Sequence, residues 1–343
     1  MHLSSTQKEH KYERIVYLDV LRLIATLGVI AIHVAVTGYY GAVGTCNWYV
    51  AAVGDSFVRW AVPIFVMISG VLFLNPNKKI ATKDIVLKYV KRLFISYIFW
   101  WLAYAAFGII LDSLRIGALV FKIGYFSPYL HLWFLPMLMG VYLLMPLLRK
   151  IACEKKLLQY SLVLWLGYLT VSFCMEWPND RISKLFVMNT IIGYSGYFLL
   201  GYYFSQYGFV RSQYVTCVLG IIGLVVTIAG SIMLSQYRGV CDDKFFDNLS
   251  PHIVMMATAL FMLVKNKITI ANKVKRFVDS VRKDLFGIYL THCIWLIVFD
   301  RVLSFDIGNH MVALPIFVVA VFVLSLLTTR LIRMVPYLRK VVE

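Results

Sequence analysis

Apolar residues run along this chain in stretches of span length, not in the alternation of half-buried strands or the single stripe of surface helices. A membrane-spanning helix needs about 20 such residues. The pattern predicts ten spans, at 15–36, 49–74, 93–111, 129–148, 158–175, 188–205, 214–235, 250–264, 284–303 and 311–333. The weakest are 188–205, rich in Gly and Tyr, and 250–264, which is short. The expected fold class is an all-α, polytopic membrane helix bundle of about ten transmembrane helices. No internal repeat and no Gly/Ser- or Pro-rich linker divides the chain, so 1–343 reads as one membrane domain, with a polar N-terminal tail at 1–14 and a basic C-terminal tail at 334–343. The N-terminal tail carries no cleavable signal pattern, because the apolar run after it is of span length and lacks a small-residue cleavage site.

Composition agrees. The chain is 61% hydrophobic and 15% charged, with a mean hydropathy of +0.77, which excludes a soluble single-core domain and intrinsic disorder. The net charge of +17 raises nucleic acid as a partner, but its placement argues otherwise. Alternate connections carry 25 Lys and Arg on one side and 6 on the other, with Arg22, Arg59 and Arg301 inside spans. That bias predicts both termini in the cytoplasm and no nucleic-acid partner. The six cysteines show no CxxC or Cys/His ligand spacing, so no metal site is expected. Cys46 and Cys241 fall in loops on the outer side, and a disulfide between them stays open.

Ionisable residues inside spans cost about 2.5–3.5 kcal/mol each on insertion scales, so each needs a reason. In the first span Asp19 and Arg22 lie three apart and can pair on one helix face. Arg22 and His33 are eleven residues apart, about three turns plus 20°, so they share a face at levels roughly 16 Å apart. The bland reading is a buried ion pair plus a histidine satisfied by a neighbouring helix. The second span carries Arg59, Pro63, Ser69 and Gly70 and runs the opposite way. Helix rise places Arg22 and Ser69 roughly 9–11 Å from the cytoplasmic boundary and His33 and Arg59 roughly 24–27 Å from it. The inner layer suits an anionic cytosolic ligand, with the basic stretch 75–92 as a collecting patch; the outer layer offers a base and a cation. His131 and Trp133 open the fourth span near the outer face, while Tyr289 and His292 of the ninth lie roughly 8–12 Å from the inner boundary. Trp133 alone reads equally well as an interfacial aromatic, and His292 as hydrogen-bonded structure.

Asp19 stands nearly alone as an acidic residue within a span. Paired carboxylates for acid/base work are therefore not expected, and there is no GxSxG elbow, Walker loop, HExxH or DxD-like cluster. The candidate chemistry is built from His and Arg.

These residues resemble the acyltransferase-3 family of integral-membrane O-acyltransferases. Arg22 to His33 matches its Arg-x10-His signature, VPIFVMISG at 62–70 its Pro-Phe-Ser-Gly motif, HLWFL at 131–135 its Trp-Phe-Leu motif, and GIYLTH at 287–292 its Tyr-Leu-x-His motif. The resemblance implies acetyl-CoA as a cytosolic co-substrate, with no bound cofactor, and a glycan or lipid-linked sugar hydroxyl as acceptor, in a bacterial inner or plasma membrane. It implies catalytic roles for His33 and Arg59, acyl-CoA binding by Arg22, Ser69 and Asp19, and pocket roles for His131, Trp133, Tyr289 and His292. The rival class is a secondary transporter or flippase. The lack of an internal repeat and of membrane carboxylates counts against it.

Overall fold

The computed structural model describes residues 16–76, 78, 80–113, 130–175, 186–208, 212–267, 272–302 and 310–343. The tail 1–14, Lys79 and most of the connections 112–128, 176–187 and 304–310 lie outside them. Every long element is helical. α1 (Val16–Tyr39) is the hub, and α2 (Cys46–Val58), α3 (Ala61–Leu74), α12 (Leu285–Ile297) and α13 (His310–Met334) all pack on it.

Local chemistry sets the breaks. Thr45 caps α2, its hydroxyl accepting from the Trp48 N–H at 3.3 Å. The chain turns at Arg59 and Trp60 and restarts as α3, with Pro63 in the first turn, where a missing N–H leaves no helical hydrogen bond unmade. A π-helical stretch, Ile85–Val90, leads into α4 (Lys91–Ser113). α5 (Phe134–Leu143) and α6 (Met145–Cys153) meet at a bend of 57°. α7 (Lys155–Cys174) and α8 (Phe186–Tyr207) follow. α9 (Gln213–Arg238) stops at Gly239, whose φ of 68° suits glycine. α10 (Pro251–Lys267) packs along α9, and α11 (Asn272–Val281) precedes α12.

The tightest crossing joins α3 to α8. A Cβ on Gly70 would overlap the Phe198 carbonyl, and one on Gly201 would overlap the Met67 backbone, so these two glycines let the helices touch backbone to backbone. α9 and α13 instead present apolar side chains outward, among them Ile221, Val225, Met233, Ile316, Val319 and Leu327.

Seven helices among the described residues are long and apolar enough to cross a membrane, or eight if α5 and α6 form one bent span. The ten expected spans all fall on helical segments among the described residues, of which seven or eight meet this length and composition. α2 and α3 join in one 29-residue apolar segment, and 250–264 extends into one over Lys244–Asn266. α8 and α12 are not among the seven. α8 buries tyrosines such as Tyr194, Tyr197 and Tyr202 in the bundle, so its surface need not be apolar enough for lipid. α12 is short and follows Asp284, which is 1% exposed and pairs with Arg330 and Arg333.

Asp284 and Asp55 also correct the view that Asp19 stands nearly alone. Asp55 is wholly buried within the Cys46–Leu74 segment. All six thiols are free, so Cys46 and Cys241 are not bridged; Cys241 Sγ instead donates to the Tyr39 carbonyl at 2.9 Å.

Candidate functional site

A cavity of about 540 Å³ opens at one end of the bundle, within the range of small-molecule sites. Its polar lining includes Arg22, Ser69, Arg92, Arg282, Lys283 and Arg339. Arg22 projects from α1 and pairs with Asp19 at 3.4 Å; the Ser69 hydroxyl donates to the Phe65 carbonyl at 3.1 Å. The predicted inner pair therefore does meet, and Asp19 touches it through Arg22. Of the basic stretch 75–92, Arg92 reaches this cavity. Lys88 pairs with Asp84 at 3.0 Å, and Lys78 donates to the Leu72 carbonyl at 3.3 Å. Arg282, Lys283 and Arg339 carried no sequence signal beyond loop basicity.

The inner walls are aromatic. Phe65 and Phe134 line the cavity and pack on Tyr289, at centroid separations of 6.3 and 5.6 Å. Tyr289 marks the deep end, its hydroxyl donating to the His131 carbonyl. Beyond it lie three histidines. His33 is 5.2 Å from His292 and 6.3 Å from His131 between ring centroids, and His131 is 5.1 Å from His292. His131 and His292 are buried and His33 is half-buried.

This convergence corrects the helix-rise depths, which put His292 well inward of His33 and His131 near the outer face. The rise arithmetic assumed that every span starts at one common level, whereas α12 begins at Leu285 on the cavity lining and His131 sits in a short 3-10 turn, Leu130–Trp133. His292 Nδ1 hydrogen-bonds the Tyr289 carbonyl at 2.6 Å, which makes Nδ1 the protonated nitrogen of a neutral ring and leaves Nε2 with its lone pair. Nε2 lies 3.3 Å from Cys293 Sγ. Cys293 escaped sequence reasoning because the partner that gives it meaning, His33, is 260 residues away.

Arg59 is held apart from the cavity. One terminal nitrogen pairs with Asp55 and the other donates to the Phe246 carbonyl at 3.3 Å. Its buried Nε has no hydrogen-bond partner. Asp55 and Phe246 were both missed by the sequence reading. Trp133 packs at a tilt against Tyr194 with centroids 5.6 Å apart, and Tyr194 likewise against Tyr197 at 5.9 Å.

A family model described as an acyltransferase domain, of the acyltransferase 3 type, matches residues 15–332. No curated protein and no solved structure matches the chain.

Proposed function

The chain belongs to the acyltransferase 3 family, and on that premise we propose that it moves an acetyl group from cytosolic acetyl-CoA to a hydroxyl of a cell-surface or lipid-linked glycan. One observation carries the reading: a cavity with basic side chains in its lining reaches Tyr289, which packs against His131 and His292, the two histidines beside His33. CoA is built the same way, with phosphates at one end and the thioester at the other. Arg92, Arg282, Lys283 and Arg339 suit the phosphates, and Arg22 and Ser69 suit the pantetheine arm.

At the deep end a nitrogen of His33 takes the proton of the acceptor hydroxyl as its oxygen attacks the thioester carbonyl. The tetrahedral intermediate collapses with cleavage of the C–S bond, and the proton passes from His33 to the CoA thiolate. The products are the acetyl ester and CoA-SH. Arg59, through its field or its Nε, favours the developing oxyanion. In the alternative route the same nitrogen attacks the thioester and CoA leaves as the thiolate; the acceptor oxygen then takes the acetyl group from His33, and the acceptor proton, left on the freed imidazole, passes to the CoA thiolate.

Acetyl is favoured because the sequence, within the family, resembles the enterobacterial common antigen O-acetyltransferase in length and in the arginine shortly before the Pro-Phe motif. The loop bias supports a cytoplasmic cavity mouth, and the resemblance a bacterial inner or plasma membrane, with the acceptor arriving from the opposite face past Trp133. Sealed vesicles of known orientation test this. Acetyl ester should form when acetyl-CoA is on the face bearing the cavity mouth and acceptor on the other. A carrier would consume no thioester at all, and ester formed only with both substrates on the mouth face would overturn the sidedness.

A further inference from the structure

Side-chain nitrogens of His33 and His292 and the sulfur of Cys293 lie within 4.8 Å of one another. From this geometry we propose a site for a zinc ion at these three residues, placed so that occupancy silences His33. It goes beyond the transfer reaction, which has no use for Cys293.

The donor set is the first reason. Two imidazoles and a thiolate are the ligands of tetrahedral zinc, with bonds of about 2.0–2.1 Å to nitrogen and about 2.3 Å to sulfur. Those bonds set ligand-to-ligand separations of roughly 3.3–3.6 Å at tetrahedral angles. His292 Nε2 and Cys293 Sγ already stand 3.3 Å apart, so closing the site asks for a shift of His33 on the order of 1 Å. Orientation is the second. Zinc-bound histidines commonly donate their other N–H to a carbonyl or carboxylate, which fixes the ring and the tautomer, and His292 makes that contact to the Tyr289 carbonyl. The third is an orphaned neighbour. His131 packs against both His33 and His292, is 3% exposed, and has an Nε2 with no hydrogen-bond partner. It can accept a hydrogen bond from a water in the fourth zinc position.

Binding replaces the Cys293 S–H proton with the metal and releases that proton to solvent. It also occupies the His33 lone pair needed to take the acceptor proton. Zinc at this position is therefore an inhibitor competing with proton transfer, and Cys293 supplies affinity without serving catalysis.

The test uses full-length protein in detergent, stripped with chelator, with Co²⁺ as a spectroscopic probe and Zn²⁺ as competitor. One equivalent of Co²⁺ should give a sulfur-to-cobalt charge-transfer band that Zn²⁺ displaces. Cys293→Ser should abolish the band and weaken zinc binding by roughly tenfold or more, while His292→Ala weakens it without abolishing the band. In the activity arm, Zn²⁺ should inhibit acetyl transfer reversibly by chelator, and Cys293→Ser should keep basal activity while losing sensitivity. A Cys293→Ala variant checks that any change follows the sulfur and not a folding defect. Absence of stoichiometric binding, or binding and inhibition untouched in Cys293→Ser, overturns the proposal. The binding arm needs neither donor nor acceptor, so its failure is distinct from failure of the transferase reading.

Discussion

The guanidinium of Arg59 lies over the ring of Phe246, 4.2 Å from its centroid, and the same group pairs with the wholly buried Asp55. A buried cation is thus neutralised by a carboxylate one helical turn before it and covered by an aromatic face from the connection after α9. Removing one partner leaves a buried charge alone. Asp55→Asn should lower stability by about 3 kcal/mol or more, read as thermal unfolding in detergent. A double variant, Asp55→Leu with Arg59→Met, should recover most of that loss. A neutral single substitution would show that the pair does not hold this end of the bundle together.

His33→Ala should retain acetyl-CoA binding and lose acetyl transfer by about 10²–10⁴-fold, the usual range for removing a general base. Rapid quenching of the unsubstituted protein with labelled acetyl-CoA and no acceptor then separates the two routes. Label retained on His33 means an acyl-enzyme, and none means direct transfer. Near-normal turnover by folded His33→Ala would reassign the base.

Arg22→Ala should weaken acetyl-CoA binding more than it slows any later step, because Arg22 lines the cavity between its basic mouth and Tyr289. Arg22→Lys should rescue in part, since an ammonium cannot reproduce a planar two-point contact. Calorimetry of donor binding decides. Unchanged affinity in Arg22→Ala would leave the arginine as a structural partner of Asp19.

Gly70→Ala should prevent proper assembly of α3 on α8, because the added methyl meets the Phe198 backbone and not a side chain that can swing away. The expected cost is about 3 kcal/mol or more, at the upper end for overpacking. Gly167→Ala on α7, where an added Cβ meets nothing within 4 Å, is the matched control and should be neutral. Comparable yields of monodisperse protein from both variants would contradict the close crossing.

Acid should loosen the segment at the cavity mouth. Burial alone would raise the Glu343 carboxyl, but hydrogen bonds from Arg339 and Arg333 outweigh it and hold the group below the usual carboxylate range. A depressed folded value means that the stabilisation is complete above the unfolded value of about 4.3 and is lost as pH falls through the folded one. Amide exchange in Leu338–Val341, a 3-10 turn beside these pairs, should therefore speed up below about pH 4 after correction for intrinsic rates. Glu343→Gln should show that faster exchange already at neutral pH.

Relations within one helix were legible from the sequence. Asp19 with Arg22, the shared face of Arg22 and His33, the helical class and the basic bias of alternate connections follow from a fixed rise and turn per residue and from the cost of moving charge across lipid. The order of four short motifs was legible too. What the sequence could not decide was which helices touch and at what depth. His292 reaches His33 because α12 packs along α1, a contact between distant parts of the chain that hydropathy does not encode. Arg59 turns to Asp55 and Phe246, and Trp133 to Tyr194, because the α2–α3 break and the 3-10 turn at Leu130–Trp133 set side-chain directions that periodicity does not encode. Cys293 comes near His33 only when α1 and α12 pack. Helical geometry is local and repeats; contacts between helices depend on glycine crossings, bends and buried ion pairs set by residues far apart in the chain.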